Sequence, residues 1–223
     1  MNLSKISPKI GLLVLMVYPI FGRWLVRSLP LEPEGRWTVW IGVNLIVTCG
    51  LLSLSRKEEE KISVRNSQKI RYKVVMVILG FLSLLGWAIF VQNYFPKTQN
   101  ENLLTADLNQ VNTYFRYVLV AVVCLIGPVY EEILFRYLVM KRFAKQFSGI
   151  GRVLLSATIF SFAHLRQPSI TDFLSYFVMG LIFAGVYRYT QSIYYSMSLH
   201  IIWNSLAYII YFLIFLIDLT NKI

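Results

Sequence analysis

Long apolar runs dominate the chain, and most polar positions lie between them. A transmembrane helix needs about 20 mostly apolar residues. Runs that meet or approach this length lie at about 10–29, 37–55, 74–95, 114–140, 150–165, 170–188 and 192–217. Arg23 interrupts the first run, and the last is long enough to break into two helices. The pattern predicts an all-α fold, a polytopic membrane helix bundle with about seven transmembrane helices, or eight if the last run breaks.

The segments between the runs are predicted to be short loops. The charged segment "RKEEEKISVRNSQKIRYK" occupies 56–73, and the polar segment "PKTQNENLLTADLNQ" occupies 96–110. Neither is long enough to form a soluble domain. We therefore expect the chemistry of this protein to take place in or beside the membrane.

Composition agrees with an integral membrane protein whose main partner is the lipid bilayer. The chain is 57% hydrophobic with a mean hydropathy of +0.58, whereas soluble domains are about 45–50% apolar. The net charge of +11 is also typical of nucleic-acid-binding proteins, but Lys and Arg lie mostly between the apolar runs, as cytoplasmic loops require. We expect no nucleic-acid partner.

The distribution of basic residues predicts the orientation. The loop at 56–73 carries seven Lys and Arg residues and the loop at 141–152 carries four, whereas the loop at 96–110 carries one. Basic loops stay in the cytoplasm. With seven spans the N-terminus is then cytoplasmic, and the C-terminus is outside unless the last run breaks.

Charged residues also occur deep inside one apolar run. The stretch "GPVYEEILFRYLV", residues 127–139, contains Glu131, Glu132 and Arg136. A charge at the centre of a bilayer costs about 3 kcal/mol on insertion scales. The two histidines of the chain, His164 and His200, lie in later apolar runs. Such residues are functional candidates by default, although a buried ion pair and interhelical hydrogen bonds could simply hold a bundle together.

These ionisable groups share one depth. At about 1.5 Å per helical residue, Glu131 lies ~15 Å from the inner end of its run, His164 ~18 Å and His200 ~12 Å from theirs. Unrelated residues would scatter in depth. The three runs therefore predict a single polar layer, somewhat inside the midplane of the membrane.

Helical spacing assigns partners within each run. Residues four apart share a helix face, so Glu132 can pair with Arg136. Glu131 lies about 100° further round the helix and has no such partner. Two further pairs share a face: His200 with Asn204, and Phe160 with His164. Gly127 and Pro128 precede the glutamates and predict a bend in the helix, because proline leaves a backbone carbonyl without its donor.

An unpaired carboxylate beside a histidine can activate water as a general base. A second histidine with an asparagine amide offers donors to a developing oxyanion. Together these groups describe peptide hydrolysis without a covalent intermediate. The sequence has no G-x-S-x-G elbow and no cysteine beside a histidine, which disfavours a nucleophilic hydrolase. Glu131, His164 and His200 could alternatively be zinc ligands, although the H-E-x-x-H motif is absent.

Three short motifs carry a family resemblance. "EEILFR" fits EExxxR, "FSFAH" fits FxxxH and "HIIWN" fits HxxxN. In this order on successive membrane helices, they resemble the CAAX protease and bacteriocin-processing family (CPBP, or Abi), which includes the type II CAAX prenyl proteases. The resemblance covers about 115–215 and no motif covers the first 110 residues. It divides the chain into N-terminal spans over 1–110 and a catalytic transmembrane core over 111–223.

The resemblance implies an intramembrane endopeptidase that cleaves a membrane-associated peptide or protein. It makes Glu131 the water-activating residue, His164 its partner, and His200 with Asn204 the oxyanion site. Glu132, Arg136 and Phe160 become supporting residues. The family has been labelled both metalloprotease and glutamate protease, and the free carboxylate of Glu131 favours the form without a cofactor.

The resemblance is closest to bacterial members, which implies the plasma membrane and a role in bacteriocin processing, self-immunity or peptide signalling. Two hypotheses from other classes stay open. A proton-coupled transporter could use the same groups as a relay, but such proteins often show repeated halves, and none is visible. A non-catalytic immunity scaffold could keep the same fold. The sequence predicts no oligomeric state.

Overall fold

A computed structural model describes residue 26 and residues 28–65, 70–96, 98–165 and 167–220. Within these residues every regular element is a helix, so the predicted all-α bundle is confirmed. The helices are α1 (Pro33–Arg65), α2 (Ile70–Tyr94), α3 (Gln99–Asn109), α4 (four consecutive segments over 113–143), α5 (Gly149–His164), α6 (Ile170–Thr190) and α7 (Ile193–Thr220). The first predicted run, 10–29, lies almost entirely outside the described residues.

The apolar runs predict the positions of the helices well. Three described helices are long and apolar enough to cross a membrane, namely α2, α6 and residues 113–141 of α4, and α5 is a shorter apolar helix. A chain in lipid must satisfy its own backbone hydrogen bonds, and a helix does so locally. The last run forms one continuous helix to Thr220, so the break considered for it does not occur there.

Both segments predicted to be loops contain helix. The charged segment at 56–73 continues α1 as far as Arg65, and α2 begins at Ile70. Lys, Arg and Glu are good helix formers, which allows a helix to extend beyond its apolar part. The polar segment at 96–110 contains α3, whose first backbone N–H, at Gln99, donates to Asp172 Oδ2 at 3.0 Å. These two loop predictions were wrong because they relied on polarity alone.

Helix α4 is irregular on both sides of the glutamates. It consists of the α-helical Thr113–Ala121, the π-helical Val122–Ile126, the α-helical Gly127–Glu132 and the π-helical Ile133–Phe143. The N–H of Gly127 donates to the carbonyl of Val122, five residues back. Single π turns are often found at functional sites. The sequence predicted a bend at Gly127 and Pro128, and the π-helical segment ends just before them, at Ile126.

Close packing surrounds the second half of α4. Residues 132–140 are all buried. Helices α5 and α6 approach so closely that a Cβ on Gly180 would lie 3.0 Å from Ala157 Cα. A Cβ on Gly80 of α2 would lie 2.7 Å from Leu199 of α7. These small residues let α6 pack closely against α5, and α2 against α7.

Candidate active site

Glu132 and Arg136 form a buried ion pair on α4. Both side chains are 0% exposed. Arg136 Nε donates to Glu132 Oε2 at 3.0 Å, and Nη2 donates to Oε1 at 3.3 Å. The guanidinium therefore binds the carboxylate with two parallel hydrogen bonds, the geometry that arginine favours. The pairing predicted from the four-residue spacing is present.

Two serines and a histidine complete this pair. Arg136 Nη1 donates to Ser156 Oγ of α5 at 2.5 Å. The hydroxyl of Ser196 on α7 donates to Glu132 Oε2, and His200 Nδ1 lies 3.1 Å from Glu132 Oε1. The pair thus connects α4 to both α5 and α7. Because a buried charge is costly without hydrogen-bond partners, these contacts make the burial tolerable.

Glu131, His164 and His200 converge as the shared depth predicts. Glu131 Oε2 lies 3.7 Å from His164 Nε2 and 3.8 Å from His200 Nε2. These distances are too long for direct hydrogen bonds and suit a bridging water. The side chain of Glu131 is 21% exposed, whereas those of His164 and His200 are 12% and 3% exposed.

The other ring nitrogen of each histidine is already engaged. His164 Nδ1 lies 2.8 Å from the backbone carbonyl of Phe160, and a carbonyl can only accept. His200 Nδ1 faces the carboxylate of Glu132, which is ionised beside Arg136. Both Nδ1 atoms therefore carry the hydrogen, and both Nε2 atoms face Glu131.

Aromatic rings hold the two imidazoles in place. The ring of His164 lies 4.4 Å from the ring of Phe160, as the spacing predicts, and stacks on Tyr176 at 4.5 Å with an angle of 20°. The ring of His200 stacks on Phe183 at 4.2 Å with an angle of 21°. Both imidazoles are thus oriented by flat apolar contacts as well as by their Nδ1 hydrogen bonds.

A cavity of about 520 Å³, its open mouth included, borders this cluster. Glu131 and His164 line it, and α1 contributes Trp40 and Asn44. The rest of the lining is mostly apolar: Val122, Ile126, Gly127, Tyr130, Phe135 and Ala163. His200 and Asn204 are not among the described residues that line it. Glu131, the candidate general base, therefore faces an apolar cavity. His200 approaches Glu131 from the opposite side, within the packed core.

Asn204 has a contact that explains its position. Its Nδ2 donates to the carbonyl of Val123 at 3.1 Å. In a π turn, that carbonyl would receive the N–H of the residue five positions later, which is Pro128 and has none. Asn204 of α7 thus supplies the donor that the proline lacks, and it ties α7 to the irregular turn of α4.

Sequence reasoning missed Ser156 and Ser196, although a signal was available. Ser156 lies eight residues before His164 with Phe160 between them, and Ser196 lies four residues before His200. The four-residue spacing that paired the motif residues extends one turn further back on both helices. Trp40 and Asn44 had no such signal, because they lie on a helix that no motif covers.

The zinc alternative requires several donor side chains around one ion. The described residues contain no group of three His, Cys, Asp or Glu side chains arranged to hold a metal ion. Glu131, His164 and His200 are the donors that the zinc alternative would use.

Two comparisons with known proteins give a match. Residues 113–206, which include all three motifs, match the model of a family described as "Type II CAAX prenyl endopeptidase Rce1-like". A Bacillus subtilis (strain 168) protein named "Putative membrane peptidase YdiL" is 26% identical over 185 residues, covering 80% of this chain and 72% of that protein. No solved structure matches the chain.

The site and these matches define a class first, an integral membrane protease with an all-helical fold. More particularly, residues 113–206 resemble the type II CAAX prenyl endopeptidases, and the three motifs carry the same resemblance.

Proposed function

We propose that this protein is an intramembrane endopeptidase that hydrolyses a peptide bond with water activated by Glu131. One observation carries the proposal: Glu131 lies 3.7 and 3.8 Å from two imidazole Nε2 atoms at the wall of an apolar cavity. A water held between these groups faces a carboxylate that has no ion-pair partner of its own on α4. That combination suits general base catalysis.

The reaction proceeds without a covalent intermediate. Glu131 takes a proton from water as the water oxygen attacks the peptide carbonyl carbon, and the carbonyl electrons move onto its oxygen. His164 holds the water through Nε2 and shares the proton. When the tetrahedral intermediate collapses, the C–N bond breaks and the proton passes to the leaving nitrogen. The products are a new carboxyl group and a new amine.

His200 and Asn204 stabilise the oxyanion in this proposal. The Nδ1–H of His200 remains on Glu132, so donation from Nε2 to the oxyanion requires the ring to carry a second proton. Asn204 uses one N–H on Val123, and an amide has a second. Donors fixed before the reaction stabilise developing charge without reorganising. Glu132 and Arg136 hold His200 in place and do not touch the substrate.

The substrate class is a membrane-associated peptide or protein, because the cavity is largely apolar and lies beside α4, a helix suited to cross a membrane. We propose that the protein lies in a bacterial plasma membrane with its N-terminus in the cytoplasm. Its proposed role is bacteriocin processing, the processing of peptide signals, or self-immunity. Helix α1, which contributes Trp40 and Asn44 to the cavity, and the core over 111–223 act as one catalytic unit, and the reaction needs no metal.

The deciding experiment is cleavage of internally quenched apolar peptides by purified protein in detergent. The wild type is compared with Glu131→Gln, and zinc is measured on the same sample. Cleavage by the wild type but not by Glu131→Gln, in protein free of zinc, supports the proposal. Stoichiometric zinc that is needed for turnover would replace the metal-free mechanism, and equal turnover by both proteins would contradict it.

A further inference from the structure

Asn44 brings an amide from the N-terminal part of the chain into the cavity of Glu131 and His164. It lies on α1, in the apolar run at 37–55, and is 4% exposed. It lines the same cavity as the two candidate catalytic residues. A buried amide needs hydrogen-bond partners, so the partners of Asn44 indicate what it does.

One hydrogen bond fixes the orientation of the amide. Asn44 Nδ2 donates to the carbonyl of Trp40 at 2.7 Å. Because a carbonyl only accepts, the nitrogen and the oxygen of the amide cannot be exchanged. An asparagine has two N–H donors and an oxygen with two lone pairs. Within the described part of the chain, this is the one hydrogen bond of the side chain, which leaves a donor and an acceptor for a ligand.

The amide of Asn44 also differs from its neighbour on the same face. Thr48 lies one turn later and is buried, and its hydroxyl has no hydrogen-bond partner among the described residues. Thr48 is not part of the cavity lining, whereas Asn44 is. The polar group of Asn44 therefore faces the cavity, whereas that of Thr48 faces the packed interior.

We propose that Asn44 binds the peptide backbone of the substrate and holds it opposite Glu131 and His164. This inference rests on the proposed function. A peptide bond must leave its helix before water can attack it, and its freed N–H and C=O then need partners, because the membrane offers none. The free oxygen of Asn44 accepts from the substrate N–H, and its second N–H donates to a substrate carbonyl.

The test is peptide binding to the Glu131→Gln protein, which separates binding from cleavage. Fluorescein-labelled apolar peptides are titrated in detergent micelles and their anisotropy is measured. Introducing Asn44→Leu into the Glu131→Gln protein should raise the Kd about five- to tenfold, which corresponds to the loss of one or two hydrogen bonds. Thr48→Val in the same background is the matched control and should leave the Kd unchanged. If Asn44→Leu fails to fold, Asn44→Asp removes the donors at constant shape.

Peptides methylated at single backbone nitrogens sharpen the test. If Asn44 accepts from the substrate N–H, one methylated position should weaken binding to the parent but not to the Asn44→Leu protein, because the two changes remove the same contact. Additive effects at every position, equal Kd values for Asn44→Leu and its parent, or no peptide binding at all would overturn the inference. If wild type and Glu131→Gln cleave equally while binding still depends on Asn44, the proposed mechanism fails and this inference stands.

Discussion

The two adjacent glutamates of α4 occupy opposite environments. Glu132 is 0% exposed and is bound by three side chains, Arg136, Ser196 and His200. Glu131 is 21% exposed, and its nearest basic atoms are the Nε2 atoms of the two histidines, at 3.7 and 3.8 Å. One residue step turns a helix by about 100°. That rotation is enough to separate a structural carboxylate from one that can react.

The difference shows how one helix can carry both a carboxylate that is fixed in place, Glu132, and one that is placed to react, Glu131. The carboxylate of Glu132 has its hydrogen bonds satisfied, so it can position His200 but has nothing left to offer a substrate. The carboxylate of Glu131 is less satisfied, and it faces the cavity. A reacting group must be held by neighbours whose own positions are fixed, and the Glu132 cluster is that support for His200.

The largest effect should come from removing the base. Glu131→Gln keeps the shape of the side chain but cannot take a proton. Peptide turnover should fall about 10²- to 10⁴-fold, the usual contribution of a general base, while the melting temperature in detergent stays close to that of the wild type. Turnover and melting are measured on the same preparation. A Glu131→Gln protein that melts early but still cleaves would reverse the comparison.

Breaking the ion pair should cost stability first. Arg136→Met leaves the charge of Glu132 buried without its partner, and such a change costs about 3–5 kcal/mol, a large share of a typical total stability of about 5–15 kcal/mol. The melting temperature should fall sharply. Combining Arg136→Met with Glu132→Gln removes the lone charge and should restore part of the loss. A double variant less stable than both single ones would show that the pair is not the main support.

The features of the fold and the site that depend on local periodicity can be predicted from the sequence. Apolar runs predict helices because lipid leaves a chain no alternative partner for its backbone. The four-residue spacing predicts the Glu132–Arg136 pair and the contact between Phe160 and His164, because both lie within one turn of a single helix. Shared depth on different helices predicts that Glu131 and the histidines meet.

Contacts between helices without a motif could not be predicted in this way. Nothing along the chain indicates that Asn44 faces the cavity, since a single amide in an apolar run can face lipid, protein or water. The role of Asn204 beside Pro128 depends on a π turn, which shifts the backbone pairing by one residue and has no pattern in the sequence. Helix α3 was also missed, because its segment is polar. Its first N–H is satisfied by Asp172, which lies in a distant part of the chain.

A smaller loss of stability should follow from removing one hydrogen bond around the Glu132–Arg136 pair. Ser156→Ala leaves an N–H of Arg136 without its acceptor, and a hydrogen bond to a charged group contributes about 1.5–3 kcal/mol. Ser161→Ala is the matched control, since that hydroxyl lies on the same helix and donates to the neutral carbonyl of Phe173, a bond of about 0.5–1.5 kcal/mol. Chemical denaturation in detergent should rank Ser156→Ala as the less stable variant. Equal losses would mean that the charge of Arg136 is satisfied elsewhere.

The smallest effects concern how His164 is held on the cavity side. Its ring stacks on Tyr176, whose hydroxyl lies 3.4 Å from Thr98 Oγ1 at the start of α3. Aromatic contacts contribute about 0.5–1.5 kcal/mol, so Tyr176→Leu should lower turnover by roughly two- to tenfold. Tyr176→Phe keeps the ring and should change turnover by less than about twofold, since the hydrogen bond between Tyr176 and Thr98 is long and weak. Steady-state kinetics on both variants separates the two contributions. A larger loss for Tyr176→Phe than for Tyr176→Leu would show that hydrogen bonding, as around Glu132, and not ring packing, holds the histidine beside Glu131.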